Sequence, residues 1–303
     1  MSWRSVFISQ PSKLSLQAKQ LLIWQGSEVS IPLEDIAVIV IDSREVLMTV
    51  PLLSALAEYG ITLIVCDEQF LPCGQFLPFS QHSRFGKILA LQMALSDEFK
   101  ATVWQKIIRQ KIVHQAFVLQ CAGQNEERDY LQKLATSVLP NDETRIEAHA
   151  AAIYFPAMFG NGFSRRMENH INIRLNYGYS IIRSAMARAL VGFGFLPALG
   201  LWHKSELNAF NLADDCMEIF RPLVDLEIYT QMVSGSLNDV LTTGDKAQLV
   251  KLLNYEILLQ KQKHNVLSAM EQMAKSLQTA MVHNNPELFR LPEMIFAQEY
   301  SYE

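Results

Sequence analysis

The sequence predicts an α+β protein, with a small mainly-β front over residues 1–84 and a large all-helical back over residues 85–303. Three observations carry that expectation. The front breaks into short runs rich in Val and Ile between turn residues. The back repeats apolar residues at spacings of three and four. Half of the 303 residues are hydrophobic and 19% are charged, the composition of a chain with a sizeable core.

In the front, SVFIS, KLSLQA, QLLIWQ and SEVSIPL read as strands divided by turn residues. IAVIVID and ITLIVCD follow, and the first is apolar throughout, as expected of a strand covered on both faces. Between them TVPLLSALAEYG has helical spacing, with Leu52, Leu53, Leu56 and Ala57 on one side and Gly60 as its stop. The texture changes after FLPFSQHSRFG. Ile88 and Leu91, then Val103, Ile107, Ile108 and Ile112, recur at helical spacing. The pattern runs on past CAGQN, LPND and GFGFLPALG. The tail, MAKSLQTAMVHNNPELFRLPEMIFAQEYSYE, reads as a helix and a proline-containing extension suited to docking on a neighbour.

No apolar run approaches the roughly eighteen residues of a membrane span, and MSWRSVFISQPSK lacks the apolar stretch and cleavage site of a secretory signal. Cys66, Cys73, Cys121 and Cys216 are scattered without a CxxC pair, which fits reduced thiols in the cytoplasm. A cytoplasmic protein with no membrane partner is expected. The net charge of −5 speaks against nucleic acid until the charges are placed. Between residues 161 and 204, Arg165, Arg166, Arg174, Arg183, Arg188 and Lys204 stand against Glu168 alone. That local excess suits phosphate, and equally suits a solvated helical face. In NHINIRLNYGYSIIRSAMARAL, Arg174, Tyr177, Tyr179, Arg183 and Arg188 interleave guanidinium and phenol groups, compatible with phosphate contacts and base or sugar packing.

The chemistry concentrates in GLWHKSELNAFNLADDCMEIFRP, residues 200–222. On one helix ending at an Arg-Pro stop, Asp214, Asp215 and Glu218 would crowd a single turn, costing roughly 0.2–0.5 kcal/mol per like-charged pair. A cation reverses the sign of that cost. His203 lies twelve and fifteen residues before Asp215 and Glu218, room enough for the chain to return. A histidine with carboxylates suits Mg2+ or Mn2+. A further carboxylate from another helix is expected, and Glu147 in ETRIEAHAAAIYF is the candidate, although an acid there also favours the helix dipole. Other templates fit worse: there is no HExxH and no Glu-x-x-His, Gly192 and Gly194 do not continue as a phosphate loop, and Ser205 has no evident base.

Glu147 with the alanines and tyrosine that follow it, LNYGY at 175–179, LGLWH at 199–203 and LADDCMEIFRPLVD at 212–225 together resemble the CRISPR-associated protein one family, in the form that accompanies type II systems. The resemblance runs over the whole chain. It implies an integrase and endonuclease of spacer acquisition, with catalytic metal ligands at Glu147, His203 and Glu218 and with Asp215 as a nearby acid and possible ligand. Many members carry aspartate where Glu218 stands. The resemblance also implies a homodimer that joins CRISPR-associated protein two and acts on double-stranded DNA, and a transesterification in which a 3′-hydroxyl attacks a phosphodiester. Arg165, Arg166, Arg174, Arg183 and Lys204 are the expected phosphate contacts. His203 must be neutral to coordinate, so activity should fall as pH drops through its titration. Its second ring nitrogen should be held by an acceptor that the sequence does not identify. A non-catalytic DNA-binding scaffold and a metal-dependent phosphohydrolase acting on small phosphoesters remain as alternatives.

Overall fold

The computed structural model describes residues 4–78 and 82–300. Residues 79–81 fall inside FLPFSQHSRFG, so the expected boundary segment lies partly outside the described residues. The front holds β1 (Arg4–Ile8), β2 (Ser12–Gln17), β3 (Gln20–Trp24), β4 (Glu28–Pro32), β5 (Ile36–Ile41), β6 (Val46–Met48), α1 (Val50–Glu58), β7 (Thr62–Cys66) and β8 (Pro72–Phe76). They form two sheets, β1-β5-β7-β8 and β4-β3-β2-β6. The short strands β6 and β8 were not legible as separate runs. Gly60, at φ +64°, ends the α1 segment as expected.

β5 shows why its sequence is apolar throughout. Ile36, Ile39 and Ile41 pack with Leu14, Leu21, Leu52 and Leu56 in the core of the front. Ala37, Val38 and Val40 pack with Trp104, Ile108 and the other helical residues behind. Parallel pairing to β1 and β7 places β5 in the middle of its sheet, and that sheet is the wall between the two cores.

Behind the wall run α2 (Phe85–Met93), α3 (Asp97–Cys121), α4 (Asn125–Thr136), α5 (Ile146–Phe159), α6 (His170–Gly192), α7 (Asn211–Met217), α8 (Arg221–Val233), α9 (Thr243–Lys251) and α10 (Val266–Val282). α3 and α6 bury residues around much of their circumference, so they are the central helices on which the others pack. Gly178 on α6 faces α8, where an added Cβ would collide with Val224. The helices approach that closely because the residue has no side chain.

The expectation of an all-helical back is corrected. β9 (Tyr255–Leu259), β10 (Gln262–Asn265) and β11 (Glu293–Glu299) form an antiparallel sheet in the order β10-β9-β11. The β9–β10 hairpin turns through Gln260 and Lys261, both at positive φ, without the Asn-Gly signal that would announce it. The tail opens as the expected helix, within α10, and its proline-containing extension carries β11 onto that sheet, residues 301–303 lying outside the described residues. The Arg-Pro pair is also corrected: Pro222 stands in the first turn of α8, where its missing N–H costs nothing, so it begins a helix instead of ending one.

Candidate metal and nucleic-acid site

α5 begins at an unusual backbone, because Arg145 takes the left-handed conformation at φ +55°. Asp142 serves in place of a cap. Its carboxylate accepts from the N–H of Ile146 at 2.8 Å and of Glu147 at 3.1 Å, and so aims the first turn of α5. Glu147 then meets Lys111 of α3, Oε1 to Nζ 2.5 Å. Glu218 reaches the same ammonium from the 3-10 turn that joins α7 to α8, Oε2 to Nζ 2.5 Å. Its other oxygen accepts from Arg221 Nε at 2.7 Å. Two carboxylates from distant segments thus close on one buried cation.

The ionisation follows from those contacts. Burial alone would raise the Glu218 carboxyl, but Arg221 and Lys111 outweigh it and hold it at about 2. Burial would lower Lys111, and Glu218 and Glu147 reverse that, so its ammonium is held above its ordinary range. Glu218 and Lys111 therefore stay charged at neutral pH.

The three crowded acids diverge. Asp214 accepts from Asn208 Nδ2 at 2.7 Å and lies 3.9 Å from Arg183. Asp215, fully buried, turns to the loop before α7. It accepts from the N–H groups of Leu201 at 2.6 Å, Trp202 at 3.0 Å and His203 at 3.1 Å, and from His203 Nδ1 at 2.6 Å. With four donors on two oxygens, Asp215 has no lone pair to spare for a metal, and its assignment as a possible ligand is corrected. It is instead the acceptor that the sequence left unidentified. It fixes the imidazole so that Nε2 is the nitrogen left for a ligand, and its hydrogen bond raises the His203 pKa. Gly200 makes this loop possible, since an added Cβ would collide with the His203 carbonyl.

Among the described residues, no three His, Cys, Asp or Glu side chains close on one point as a metal cage. The donor chemistry nevertheless fits a hard divalent cation. Glu147 and Glu218 already converge on a positive charge, and Glu218 lies near enough to His203 to raise its pKa.

Beside Glu218 opens a cleft of about 220 Å³ lined by Arg165, Arg183, Arg221, Tyr179, Asn176 and Ser180, among others. The Arg221 guanidinium lies over the Tyr179 ring, 4.5 Å from its centroid, and that of Arg165 at 5.2 Å. Tyr179 and Tyr154 donate to buried Asp225, the latter at 3.0 Å. Arg165 bonds Asn172 and Asn176. Arg166 and Lys204 are exposed. Arg174 is not: it is fully buried, donating to Val240 O at 2.8 Å and Asp245 Oδ2 at 2.9 Å. Its expected phosphate contact is corrected, for it ties α6 to the start of α9.

Sequence reasoning missed Lys111, Arg221, Asp142 and Asp225. Lys111 had one available signal. It follows Ile107 by four and Ile108 by three, which puts a charge on the apolar face of α3, where only a partnered lysine is stable.

Comparisons with known proteins bear on this arrangement. The family model described as CRISPR associated protein Cas1 matches residues 6–272. A CRISPR-associated endonuclease Cas1 of Neisseria meningitidis serogroup C (strain 8013) is 49% identical over 304 residues, covering 100% of each chain. Among solved structures, a casposase bound to integration product superposes with a TM-score of 0.75 at 16% identity, over 93% of this chain and 91% of that one. A Cas6-RT-Cas1–Cas2 complex gives 0.75 at 18% identity, over 96% of this chain and 36% of the longer one. Family model and full-length relative agree with each other, and the chain belongs to the CRISPR-associated protein Cas1 family.

Proposed function

We propose that this protein is a metal-dependent DNA integrase and endonuclease of CRISPR adaptive immunity, joining short foreign DNA to the repeat array. The convergence of Glu147 and Glu218 on one cation, beside an oriented His203 and at the edge of a three-arginine cleft, carries the reading. Glu147, Glu218 and His203 Nε2 would hold Mg2+ or Mn2+, with Lys111 giving way. Such an ion supplies Lewis-acid stabilisation of the phosphoryl oxygens and lowers the pKa of the attacking hydroxyl.

The chain's own residues do the rest. Asp215 holds the His203 ring in one tautomer and orientation. Arg165, Arg183 and Arg221 supply phosphate contacts, and their charge offsets what builds up as the phosphoryl group is transferred. A 3′-hydroxyl oxygen forms the new P–O bond, the bond to the old 3′-oxygen breaks, and that oxygen leaves as a new 3′-hydroxyl. Water in place of the attacking hydroxyl makes the same site a nuclease. Because Asp215 raises the His203 pKa and a protonated ring cannot ligate, activity should be lost as pH falls through that raised value.

The name of the full-length relative, and the integration product bound to the casposase neighbour, support this chemistry. Double-stranded DNA, a homodimer and CRISPR-associated protein two are the proposed partners, the last supported by the complex that shares the fold. Four free cysteines, and no helix among the described residues long and apolar enough to cross a membrane, accord with a place in the cytoplasm. A non-catalytic DNA-binding scaffold is the second reading, favoured by one observation: Lys111 already bridges the carboxylate pair, and Arg221 pairs with Glu218 beside it.

A strand-transfer assay decides between them. Labelled short duplex is mixed with a supercoiled plasmid bearing a repeat, Mn2+, and the protein with and without its small partner. Transfer by wild type, and its loss in well-folded His203→Ala and Glu218→Ala, is the expected result. DNA binding without transfer under all conditions would favour the scaffold.

A further inference from the structure

The loop that brings His203 to the site also carries Trp202, and Asp215 fixes both through their backbone N–H groups. One face of the Trp202 indole lies flat on buried Trp104 of α3, with centroids 5.5 Å apart and planes 4° apart. Trp104 in turn meets the His203 ring edge-on at 5.8 Å. With one face covered, Trp202 is still 40% exposed. It borders a cleft of about 440 Å³ whose other lining residues are Lys100, Lys204, Asp97, Asn141 and Leu201. This cleft is distinct from the arginine-lined one beside Glu218.

A rigid indole packed on a second one on one face is costly to leave exposed on the rest of its surface. What it offers is a platform for one more flat ring. Two lysines flanking the platform suit phosphates, and the Asp97 carboxylate and Asn141 amide offer an acceptor and a donor to the edge of a heterocycle. We infer that this cleft takes one unpaired nucleobase, stacked on the open face of Trp202, from the DNA strand whose phosphate lies at Glu147, His203 and Glu218. A base inside a duplex cannot enter, because both of its faces are covered by neighbouring bases and only an edge could meet the indole, and a terminal pair would have to bring its partner base into the cleft as well. The inference rests on the DNA-processing function proposed above and adds a second contact point for the same strand, built from α3, the loop at Trp202 and the turn at Asn141 instead of α6.

The test compares two duplexes of the same paired length in metal-free buffer, one blunt and one with a short unpaired 3′ extension carrying 2-aminopurine. Affinity is read by anisotropy and stacking by 2-aminopurine fluorescence. Trp202→Ala should lose roughly 5- to 160-fold in affinity for the extended duplex, the range of one base–aromatic stack. It should also abolish the fluorescence change while altering blunt-duplex affinity less than twofold. Trp202→Phe, which keeps a flat ring, should retain most of both signals and guards against a folding defect. Equal losses on the two duplexes, or none on either, would overturn the stacking site while leaving the proposed function intact. A wild type that binds neither duplex would remove both.

Discussion

Lys111 is the residue whose role is least expected from its neighbours in the chain. Its ammonium stands between Glu147 and Glu218, so a divalent ion entering there competes with a charge the protein already supplies. Lys111→Met leaves two carboxylates facing each other without that charge. Isothermal titration should show Mn2+ binding tightened by about tenfold or more, roughly 1.4 kcal/mol, and the metal-free protein should melt earlier. Weaker Mn2+ binding would show that Lys111 supports the site and does not compete for it. Asp225 makes a second residue-level prediction, of opposite character. Burial raises its carboxyl from an ordinary 3.8 to about 6, against the hydrogen bonds from Tyr179 and Tyr154 and the charges of Arg165 and Arg221. A group raised in the folded state binds more protons there than when unfolded between those two values. Stability from Asp225 therefore declines as pH rises through that window, by about 3 kcal/mol in all. Denaturant unfolding of wild type and Asp225→Asn should show the difference between them shift by about that amount from pH 4 to pH 7. Parallel pH profiles would refute it.

Elements meet in this protein through small contacts that pattern alone does not disclose. Gly178 lets α6 lie against α8, where Val224 Cγ2 would stand 3.2 Å from an added Cβ and Leu249 Cδ2 3.4 Å from it. Gly178→Ala should cost about 1–3 kcal/mol by overpacking. Combined with Val224→Ala it should cost clearly less than the sum of the two, and additive urea-unfolding energies would contradict that. The same scale explains what was readable. β1 to β5, β7 and α1 were visible because each has its own period, turn residues or apolar run. β9 and β10 were not, because their turn uses Gln260 and Lys261 and because β9 is buried at nearly every position, which resembles a core helix. Glu147, His203 and Glu218 were singled out together through the family resemblance. Asp215 was legible as an acid, but its turn away from the carboxylate pair was not, because that depends on a loop brought back by Gly200 and Asn211.

At the scale of the molecule, the sheet β4-β3-β2-β6 buries Leu14, Leu21 and Ile23 on one face and leaves apolar groups on the other. Trp24 and Leu47 flank Lys13 in register and are 54% and 71% exposed. Two exposed apolar side chains on either side of a lysine, on an outer face, are a candidate contact for the proposed homodimer. Trp24→Glu with Leu47→Glu should shift the molar mass from dimer toward monomer in light scattering with the melting temperature little changed. A dimer that survives both changes would place the contact elsewhere. Composition, periodicity and turn residues by themselves determined that the chain is α+β with its strands mostly in front and which runs are buried on two faces, while the grouping of Glu147, His203 and Glu218 came from resemblance to a family. The first two are local properties, written in spacing and side-chain type. Only the tertiary structure decided that Lys111 holds the carboxylates, that Asp215 orients His203, that Arg174 is buried while Arg165, Arg183 and Arg221 line a cleft, and that β9 pairs with β11. Those outcomes depend on which distant segments meet, and a charge or a strand takes its role from the partner that folding brings to it.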